Sequence, residues 1–206
     1  MARRATFHHG DLAGALVREG VGLLAEVGLR GFSVATLARR LGVSTAAPYR
    51  HFADRDRLLA AVVTLAAGEL ADAMEAAAGR AGDDPVARLA VAGGAYARFL
   101  ADRRVGLDLV YGVELRALGD RELAAVGRRI VDVLLGPALE LTDPVAAVPL
   151  MERVVAVAHG YGALDADGFL ADARVGGGGA AERAEAAVAA VVRGTAGTSP
   201  SPAGGP

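Results

Sequence analysis

The chain has 206 residues, no cysteine and a formal net charge of −2, and 53% of its residues are hydrophobic. The lack of cysteine excludes a disulfide framework and thiolate metal sites, and it fits a cytoplasmic protein. No apolar run reaches the roughly 18–20 residues that a membrane-spanning helix needs. The first residues, MARRATFHHGD, also lack the apolar segment of a signal peptide.

Charge is divided unevenly along the sequence. Residues 1–57 carry nine arginines and five acidic residues, whereas the rest of the chain carries thirteen arginines and nineteen acidic residues. A basic end on an acidic body indicates that the N-terminal part meets a polyanion. Arg3 and Arg4 suit an arm in a DNA minor groove, although a frayed, solvated terminus explains them as well.

Helical periodicity runs through nearly the whole chain, and no segment alternates as a strand would. Asp11 is placed to cap the first helix, which should end in VGLRGFS, where Gly28 and Gly31 stand. Ser33 should then cap a short second helix, VATLARRL, and Gly42 should stop it as a C′ glycine.

The segment GVSTAAPYRHF, residues 42–52, predicts the second half of a helix-turn-helix. Ser44 should cap its recognition helix, and Pro48 falls late in the first turn, where a missing N–H costs least. Ala38 is small enough to lie where the two helices cross. Phe52 is expected to point inward as an anchor, which leaves the opposite face free for DNA.

Longer helices are expected after the helix-turn-helix. Asp54 should cap a long linking helix, and Pro85 should open the next one. The expected helices cover about 55–78, 85–101, 104–118, 120–141, 144–166 and 180–193. The segment VGGGG at 175–179 is expected to form a loop. Pro137 and Pro149 each indicate either a kink in a helix or a helix boundary.

Small residues at the start of a recognition helix let its backbone approach the major groove closely. Thr45 can hydrogen-bond to a base, and Arg50 can reach a guanine edge or a phosphate. Tyr49 and His51 offer hydrogen bonds to phosphate oxygens, which fix the register. The residues expected at DNA are Ser33, Arg39, Ser44, Thr45, Ala46, Ala47, Tyr49, Arg50, His51 and Arg55.

The pattern GFSVATLARRLGVSTAAPYRHFADRDRLLAAV resembles the DNA-binding signature of the TetR family of transcriptional regulators. FHHGDL followed by APYRHF is similar to one subgroup, whose C-terminal domain often carries a Trp-His-Gly element. The nearest match here is VAVAHGYGAL, which has His159 and Gly160 but no tryptophan. The resemblance places the family's phosphate-contacting tyrosine on Tyr49 and its base-reading turn on residues 45–47.

The resemblance implies an all-α fold, in which a three-helix domain binds DNA and a larger helical domain binds an effector and forms a homodimer. The expected divisions are a basic arm at 1–9, a DNA-binding domain at 10–57 with a linking helix to about 78, a ligand-binding and dimerisation domain at 79–194, and a disordered tail at 195–206. Helices 144–166 and 180–193 are the candidate dimer face, as a four-helix bundle.

Aromatic and apolar residues between positions 90 and 165 predict a mainly apolar effector pocket. The candidate residues are Tyr96, Phe99, Leu107, Tyr111, His159 and Tyr161. At helical spacing the aromatic residues suit an ordinary core equally well, and His159 suits a hydrogen-bonded core histidine.

The function expected from these features is a homodimeric repressor that leaves its near-palindromic operator when a small effector binds. Two DNA-binding alternatives remain, namely an activator of the same fold and an architectural DNA-binding protein without an effector. A helical enzyme is a third, but the sequence has no nucleophile elbow, Walker loop or dinucleotide fingerprint. No cofactor and no metal are expected, since the adjacent His8 and His9 rarely form a closed site alone.

Overall fold

The structure is a computed structural model, of which residues 11–104, 119–171 and 178–196 are described. These residues form seven α-helices and two short 3₁₀ turns, and the described ranges contain no β-strand. The α-helices are α1 Leu12–Gly31, α2 Val34–Arg40, α3 Arg55–Arg80, α4 Pro85–Arg103, α5 Arg121–Leu141, α6 Pro144–Ala166 and α7 Ala180–Ala196. The all-α fold class is confirmed.

Side-chain caps start the first three helices where the sequence predicts them. The carboxylate of Asp11 accepts from the amide of Gly14 at 3.0 Å, and that of Asp54 accepts from the amide of Arg57 at 2.8 Å. The hydroxyl of Ser33 accepts from the amide of Thr36 at 3.3 Å. Each bond satisfies an amide that has no partner inside its helix.

A glycine turn ends α2. Gly42 has a φ of +68°, which favours glycine because it has no Cβ. The amide of Val43 donates to the carbonyl of Ala38 at 3.0 Å, and that of Gly42 donates to Arg39 at 3.1 Å. Both bonds of a Schellman motif are therefore present, and the predicted C′ glycine is confirmed.

Helix α1 ends in two steps. Gly28, with a φ of +67° and a ψ of 179°, interrupts the helix, and one more turn runs to Gly31. The amide of Phe32 then donates to the carbonyl of Leu29. Both predicted glycines thus take part in ending the helix.

One hydrophobic core runs from the N-terminal helices into the larger C-terminal part, and α3 belongs to both. Its first half buries Leu58 and Val62 beside Leu16 and Leu23 of α1. Its second half packs against α4 and α5, and α4 also packs against α6 and α7. Helix α3 therefore connects the N-terminal helices to the larger C-terminal part.

The predicted helix bounds agree with the structure to within two residues from α3 to α6. Helix α7 reaches Ala196, three residues beyond its predicted end at residue 193. Pro137 and Pro149 both lie inside helices and mark no boundary. The basic arm, the expected helix at 104–118, residues 175–177 of the expected loop and the tail from 197 lie outside the described residues.

No helix of the described ranges is long and apolar enough to cross a membrane. In the same part of the chain, no three histidine or acidic side chains lie together in a way that would hold a metal ion. His8 and His9 lie outside it.

Candidate nucleic-acid interface and apolar cavity

The segment from Ser44 to His51 presents most of its side chains to solvent. Ser44, Thr45 and Ala46 are exposed, Ala47 is half-buried, and the exposed fraction of Tyr49 is 53%. The structure therefore places the predicted DNA-facing residues together on one short stretch.

This segment is not the capped α-helix that the sequence predicts. It consists of turns followed by a 3₁₀ helix, Pro48–Arg50, and Ser44 provides no side-chain cap to it. The amide of Ala47 donates to the carbonyl of Ser44 at 3.0 Å. The expectation was wrong because Pro48 has no N–H to give the carbonyl of Ser44, four residues earlier, and its ring would clash with that carbonyl.

Two residues hold the segment against the protein. Pro48 is buried and Phe52 is half-buried against the hydrophobic core. The amide of Phe52 donates to the carbonyl of Pro48 at 3.0 Å, which closes the last turn. Phe52 is therefore an inward anchor, as predicted, and Tyr49, Arg50 and His51 are exposed between the two anchors.

Arg55 bonds to the end of α1 while its side chain stays 42% exposed, and its predicted phosphate contact stays a prediction. Its Nε donates to the carbonyl of Phe32 at 3.2 Å and its Nη2 to that of Leu29 at 2.9 Å, while Nη1 bonds to Asp56. The guanidinium also lies 6.0 Å from the ring centre of Phe32. Its side chain satisfies carbonyls at the C-terminal end of α1, where a cation is favoured.

The two arginines at the end of α2 differ in their surroundings. Arg40 bonds to Glu26 at 3.0 Å and lies 3.5 Å from Glu19, both on α1. The guanidinium of Arg40 lowers the pKa of the Glu26 carboxyl through this hydrogen bond. Arg39 is exposed, and within the described part of the chain its side chain bonds to the hydroxyl of Thr36 in its own helix. Arg39 is therefore the member of the pair that a phosphate can reach.

A cavity of about 630 Å³ lies between α5 and α6. Its described lining is mainly apolar and consists of Ile130, Val131, Leu134, Met151, Glu152, Val155, Ala156, His159 and Gly160. A volume of this size with few polar groups is typical of a small-molecule site. Met151, Val155 and His159 recur at every fourth residue, and this spacing is the signal that sequence reasoning missed.

The structure brings together only part of the predicted effector set. His159 lines the cavity, and its Nδ1 lies 2.8 Å from the hydroxyl of Tyr96, which is 2% exposed. Phe99 lines a different cavity, and Tyr161 packs against a small cluster around Ala97. Leu107 and Tyr111 lie outside the described residues.

The cavity that Phe99 lines has a different character. It measures about 690 Å³, lies between α3, α4 and α7, and has several charged residues in its wall. Arg103 lies 3.2 Å from Glu69, one of the ion pairs in that wall. Burial, followed by the charge of Glu182, raises the pKa of Glu185. The cavity between α5 and α6 is the one that suits an apolar ligand.

Ion pairs join α5 to α3. Arg129 of α5 bonds to Asp72 at 2.6 Å and to Glu75 at 2.9 Å, and these bonds raise its pKa. Arg57, at the start of α3, lies 3.6 Å from Asp120, the cap of α5. The helix that lines the cavity thus contacts both ends of α3.

Comparison with known proteins identifies relatives over most of the chain. A protein of unknown function from Rhodococcus sp. RHA1 is 31% identical, with a TM-score of 0.71, over 92% of this chain and 97% of its own. The TetR family transcriptional regulator PfmR from Thermus thermophilus is 23% identical, with a TM-score of 0.60. The match covers 86% of this chain and 97% of PfmR. The transcriptional regulator FadR from Bacillus subtilis, in complex with stearoyl-CoA, is 14% identical, with a TM-score of 0.60. The match covers 87% of this chain and 95% of FadR. No curated protein matches the chain.

The family assignment follows from the N-terminal domain. Residues 16–62 match the model of the bacterial regulatory proteins of the tetR family, and this range contains the capped α2, the Gly42 turn and the exposed segment. Over most of its length the chain has the same fold as PfmR, a solved TetR family regulator. The N-terminal part of the chain therefore belongs to the tetR family of bacterial regulatory proteins.

Proposed function

We propose that the protein is a homodimeric repressor that a small, mainly apolar effector releases from a near-palindromic operator. The observation that carries this proposal is the pairing of two features. One is the exposed segment of residues 44–51, held by Pro48 and Phe52. The other is the apolar cavity between α5 and α6.

The exposed segment suits a major groove. Thr45 and Arg50 face solvent and suit contacts with bases, whereas Tyr49 and His51 suit phosphate oxygens. In a dimer, two such segments would lie about 34–36 Å apart, or a multiple of that distance, to meet successive major grooves.

Helices α6 and α7 suit the dimer contact. Val145 of α6 is 85% exposed, and Leu164 near its other end is 41% exposed, although the opposite face of the helix is buried in the core. Exposed apolar side chains on a helix whose other face is already buried suit a surface that a second chain covers. Helix α7 exposes Ala186 and Ala190, which are small enough for a second helix to approach closely.

The dimer contact has a direct test. Ala190→Glu places a charge on the proposed contact, and Ala125→Glu places the same charge on an exposed alanine of α5. Light scattering after size-exclusion chromatography should give a monomer for the first variant and a dimer for the second. Dimers from both variants would contradict this choice of face.

The proposed switch runs through α5. A ligand that separates α5 from α6 would move Arg129, and with it Asp72 and Glu75 on α3. Helix α3 packs against α1, so the two recognition segments would change their spacing. A ligand acts in this way only if it binds one conformer better than the other, by a few kcal/mol for a near-complete change.

The first experiment is fluorescence anisotropy on labelled duplexes that tile the region upstream of the protein's own gene. Tight binding of two protomers to one tile, with a steep salt dependence, supports the proposal. Added apolar compounds should then release the duplex. Weak and equal binding to every tile, with no response to any compound, would favour the architectural alternative.

A further inference from the structure

The cavity between α5 and α6 extends onto an exposed face of α6. Glu152 and Ala156 line the cavity and are both exposed to solvent. A Cβ added at Gly160, which also lines it, would meet no atom of the described residues within 4 Å. Val145, seven residues before Glu152 on the same side of the helix, is 85% exposed. The outer rim of the cavity is therefore part of the face of α6 that the proposed function assigns to the dimer.

Helix α7 runs back along α6, and a hydrogen bond shows which of their residues are level. The amide of Ala180, at the start of α7, donates to Asp165, near the end of α6, at 3.4 Å. Arg193 is thirteen residues after Ala180, and Glu152 is thirteen residues before Asp165. Because every α-helix rises by the same distance per residue, Arg193 and Glu152 lie level along the two helices, within about one turn.

A packing contact around Gly93 of α4 gives the same alignment of α6 and α7. A Cβ added at Gly93 would lie 3.0 Å from Val188 of α7 and 3.7 Å from both Val154 and Ala158 of α6. Val188 is therefore level with the midpoint of those two residues, in agreement with the count from the start of α7.

The charges of Glu152 and Arg193 are available to a second chain. Both side chains are exposed, and the described residues provide neither with an ion pair. They do not meet within one chain, because α7 packs on another side of α6. Tyr161 packs beside Ala180 and Ala184 of α7 and lies nine residues after Glu152, about half a turn round α6.

Dimer symmetry would keep these two residues level. Helix α5 begins beside Arg57 at the start of α3, and α6 runs back from the far end of α5. Both helices therefore run along the line from the recognition segment to the far end of the molecule. A two-fold axis that sets both recognition segments on one duplex lies along the same line. Under that symmetry the partner's Arg193 is level with Glu152, and opposite charges face each other.

Small residues on α7 would let the partner helix come close to the cavity. Ala190 and Ala186 lie about one and two turns before Arg193, on the exposed side of α7. In the same alignment they are level with residues 155–159 of α6. Two alanine side chains would thus lie over the rim that Ala156 and Gly160 form.

We propose, building on the proposed homodimer, that α7 of the partner subunit closes the effector cavity of this chain, and that the partner's Arg193 pairs with Glu152 at its rim. The effector then binds between two subunits. It acts directly on how the subunits are arranged, and therefore on the spacing of the two recognition segments.

Binding of a neutral apolar dye, N-phenylnaphthylamine, tests whether the partner completes the site. Val155→Trp fills the cavity, so the dye signal that this variant loses belongs to the site. The wild-type dimer should bind the dye about tenfold more tightly than the Ala190→Glu monomer, because the partner covers a further ~60 Å² of the dye. By linkage, the dye should tighten the dimer correspondingly, which sedimentation measures. Ala125→Glu, the control on α5, should keep the wild-type affinity.

Charge reversal tests the ion pair itself. Arg193→Glu and Glu152→Arg should each weaken the dimer about fivefold, because each removes the pair and sets like charges together. The double variant that carries both changes should restore the dimer and its affinity for the dye. Asp132→Arg reverses another exposed acid, on α5, and should not rescue Arg193→Glu.

The outcomes separate this inference from the proposed function. Equal dye affinity in the wild-type dimer and the Ala190→Glu monomer overturns the inference and leaves the homodimer and its apolar site in place. A double variant that is no more dimeric than Arg193→Glu alone, or an Ala190→Glu variant that stays dimeric, overturns the placing of the partner's α7 over the cavity. A wild-type protein that stays monomeric, or that loses no dye signal on Val155→Trp, overturns both.

Discussion

The two regions proposed to bind DNA and an effector are assembled in different ways. Most of the residues proposed to face DNA form one continuous stretch, 44–51, whose shape is set by local features such as the Gly42 turn and Pro48. The cavity instead draws on residues from α5 and α6, and its histidine is held by a tyrosine 63 residues away in the sequence. A local site depends on turn chemistry, whereas the cavity depends on how closely helices pack.

The largest expected effect is at the crossing of α4 and α6. A Cβ added at Gly162 would lie 2.8 Å from the backbone carbonyl oxygen of Ala97 and 3.0 Å from Leu100. Backbone cannot turn aside as a side chain can, so the helices must move apart. We expect Gly162→Ala to lower the free energy of unfolding by about 2 kcal/mol, or roughly 4–8 °C in Tm.

Gly160 is the matched control, two residues earlier on the same helix. A Cβ there meets no atom of the described residues within 4 Å. Alanine is the better helix former, so Gly160→Ala should be neutral or stabilising by up to about 1 kcal/mol. Equal Tm values for the two variants in thermal unfolding would show that the crossing is looser than the structure indicates.

The local features of this chain could be predicted from sequence, and the non-local ones could not. Asp11, Ser33 and Asp54 cap helices within three residues of themselves, so their roles follow from spacing alone. Ser44 fits the same rule, but a proline four residues later prevents the helix that it would cap. This conflict is also local, and the sequence already contains its cause.

Arg55 and Phe99 show where prediction from sequence stops. Arg55 bonds to carbonyls 23 and 26 residues earlier, at the end of α1, which only the packing of α1 on α3 brings close. Phe99 has the helical spacing of a pocket residue, but the rotation of α4 turns it towards α3 and α7 instead of α5 and α6. Helix rotation depends on all neighbours together, so periodicity does not reveal which cavity a residue faces.

The next largest effect should be on DNA affinity. Tyr49→Phe removes a hydroxyl from a half-exposed side chain, so stability should not change. A hydrogen bond to a charged phosphate oxygen is worth about 1.5–3 kcal/mol, so affinity should fall about tenfold or more. The loss should be similar for all operator sequences because phosphate contacts carry no sequence information.

Substitution of Arg50 gives the contrast with Tyr49. Arg50→Ala should change which base is preferred at one operator position, and not only the overall affinity. Anisotropy titrations on a set of single-base operator variants would measure both effects. An unchanged affinity in Tyr49→Phe would show that the hydroxyl of Tyr49 does not contact a phosphate and that the proposed orientation of the segment on DNA is wrong.

A smaller effect is expected where α1 crosses α3. A Cβ at Gly20 would lie 2.4 Å from Cγ2 of Val62, but its next neighbours are at 3.4 Å or more. One valine methyl has to move and no backbone does, so we expect Gly20→Ala to cost about 1 kcal/mol. The recognition segment contacts α1, so operator affinity should also fall by a small factor.

Gly22, on the same helix, serves as the reference for Gly20. A Cβ there has no neighbour within 4 Å, and Gly22→Ala should leave both stability and operator affinity unchanged or slightly improved. Urea unfolding and anisotropy on the same preparations measure the two quantities. A larger loss for Gly20→Ala than for Gly162→Ala would mean that the N-terminal helices are packed more rigidly than the cavity region.

The smallest effect concerns pH and the ion pair between α1 and α2. The hydrogen bond from Arg40 lowers the pKa of Glu26 in the folded protein below its usual value of 4.5. The folded state therefore binds fewer protons there than the unfolded state. The pair contributes stability above about pH 4.5, and this contribution is lost as the pH falls through the lowered pKa.

Glu26→Gln isolates this contribution. Urea unfolding of the wild type and the variant should give a difference in stability near pH 7 that shrinks towards zero in acid. High salt should also reduce the difference, because both side chains are partly exposed. Asp83→Asn, at an exposed acid for which the described structure shows no ion pair, should give no such trend. A difference between wild type and Glu26→Gln that does not vary with pH would show that Glu26 acts through packing and not through its charge.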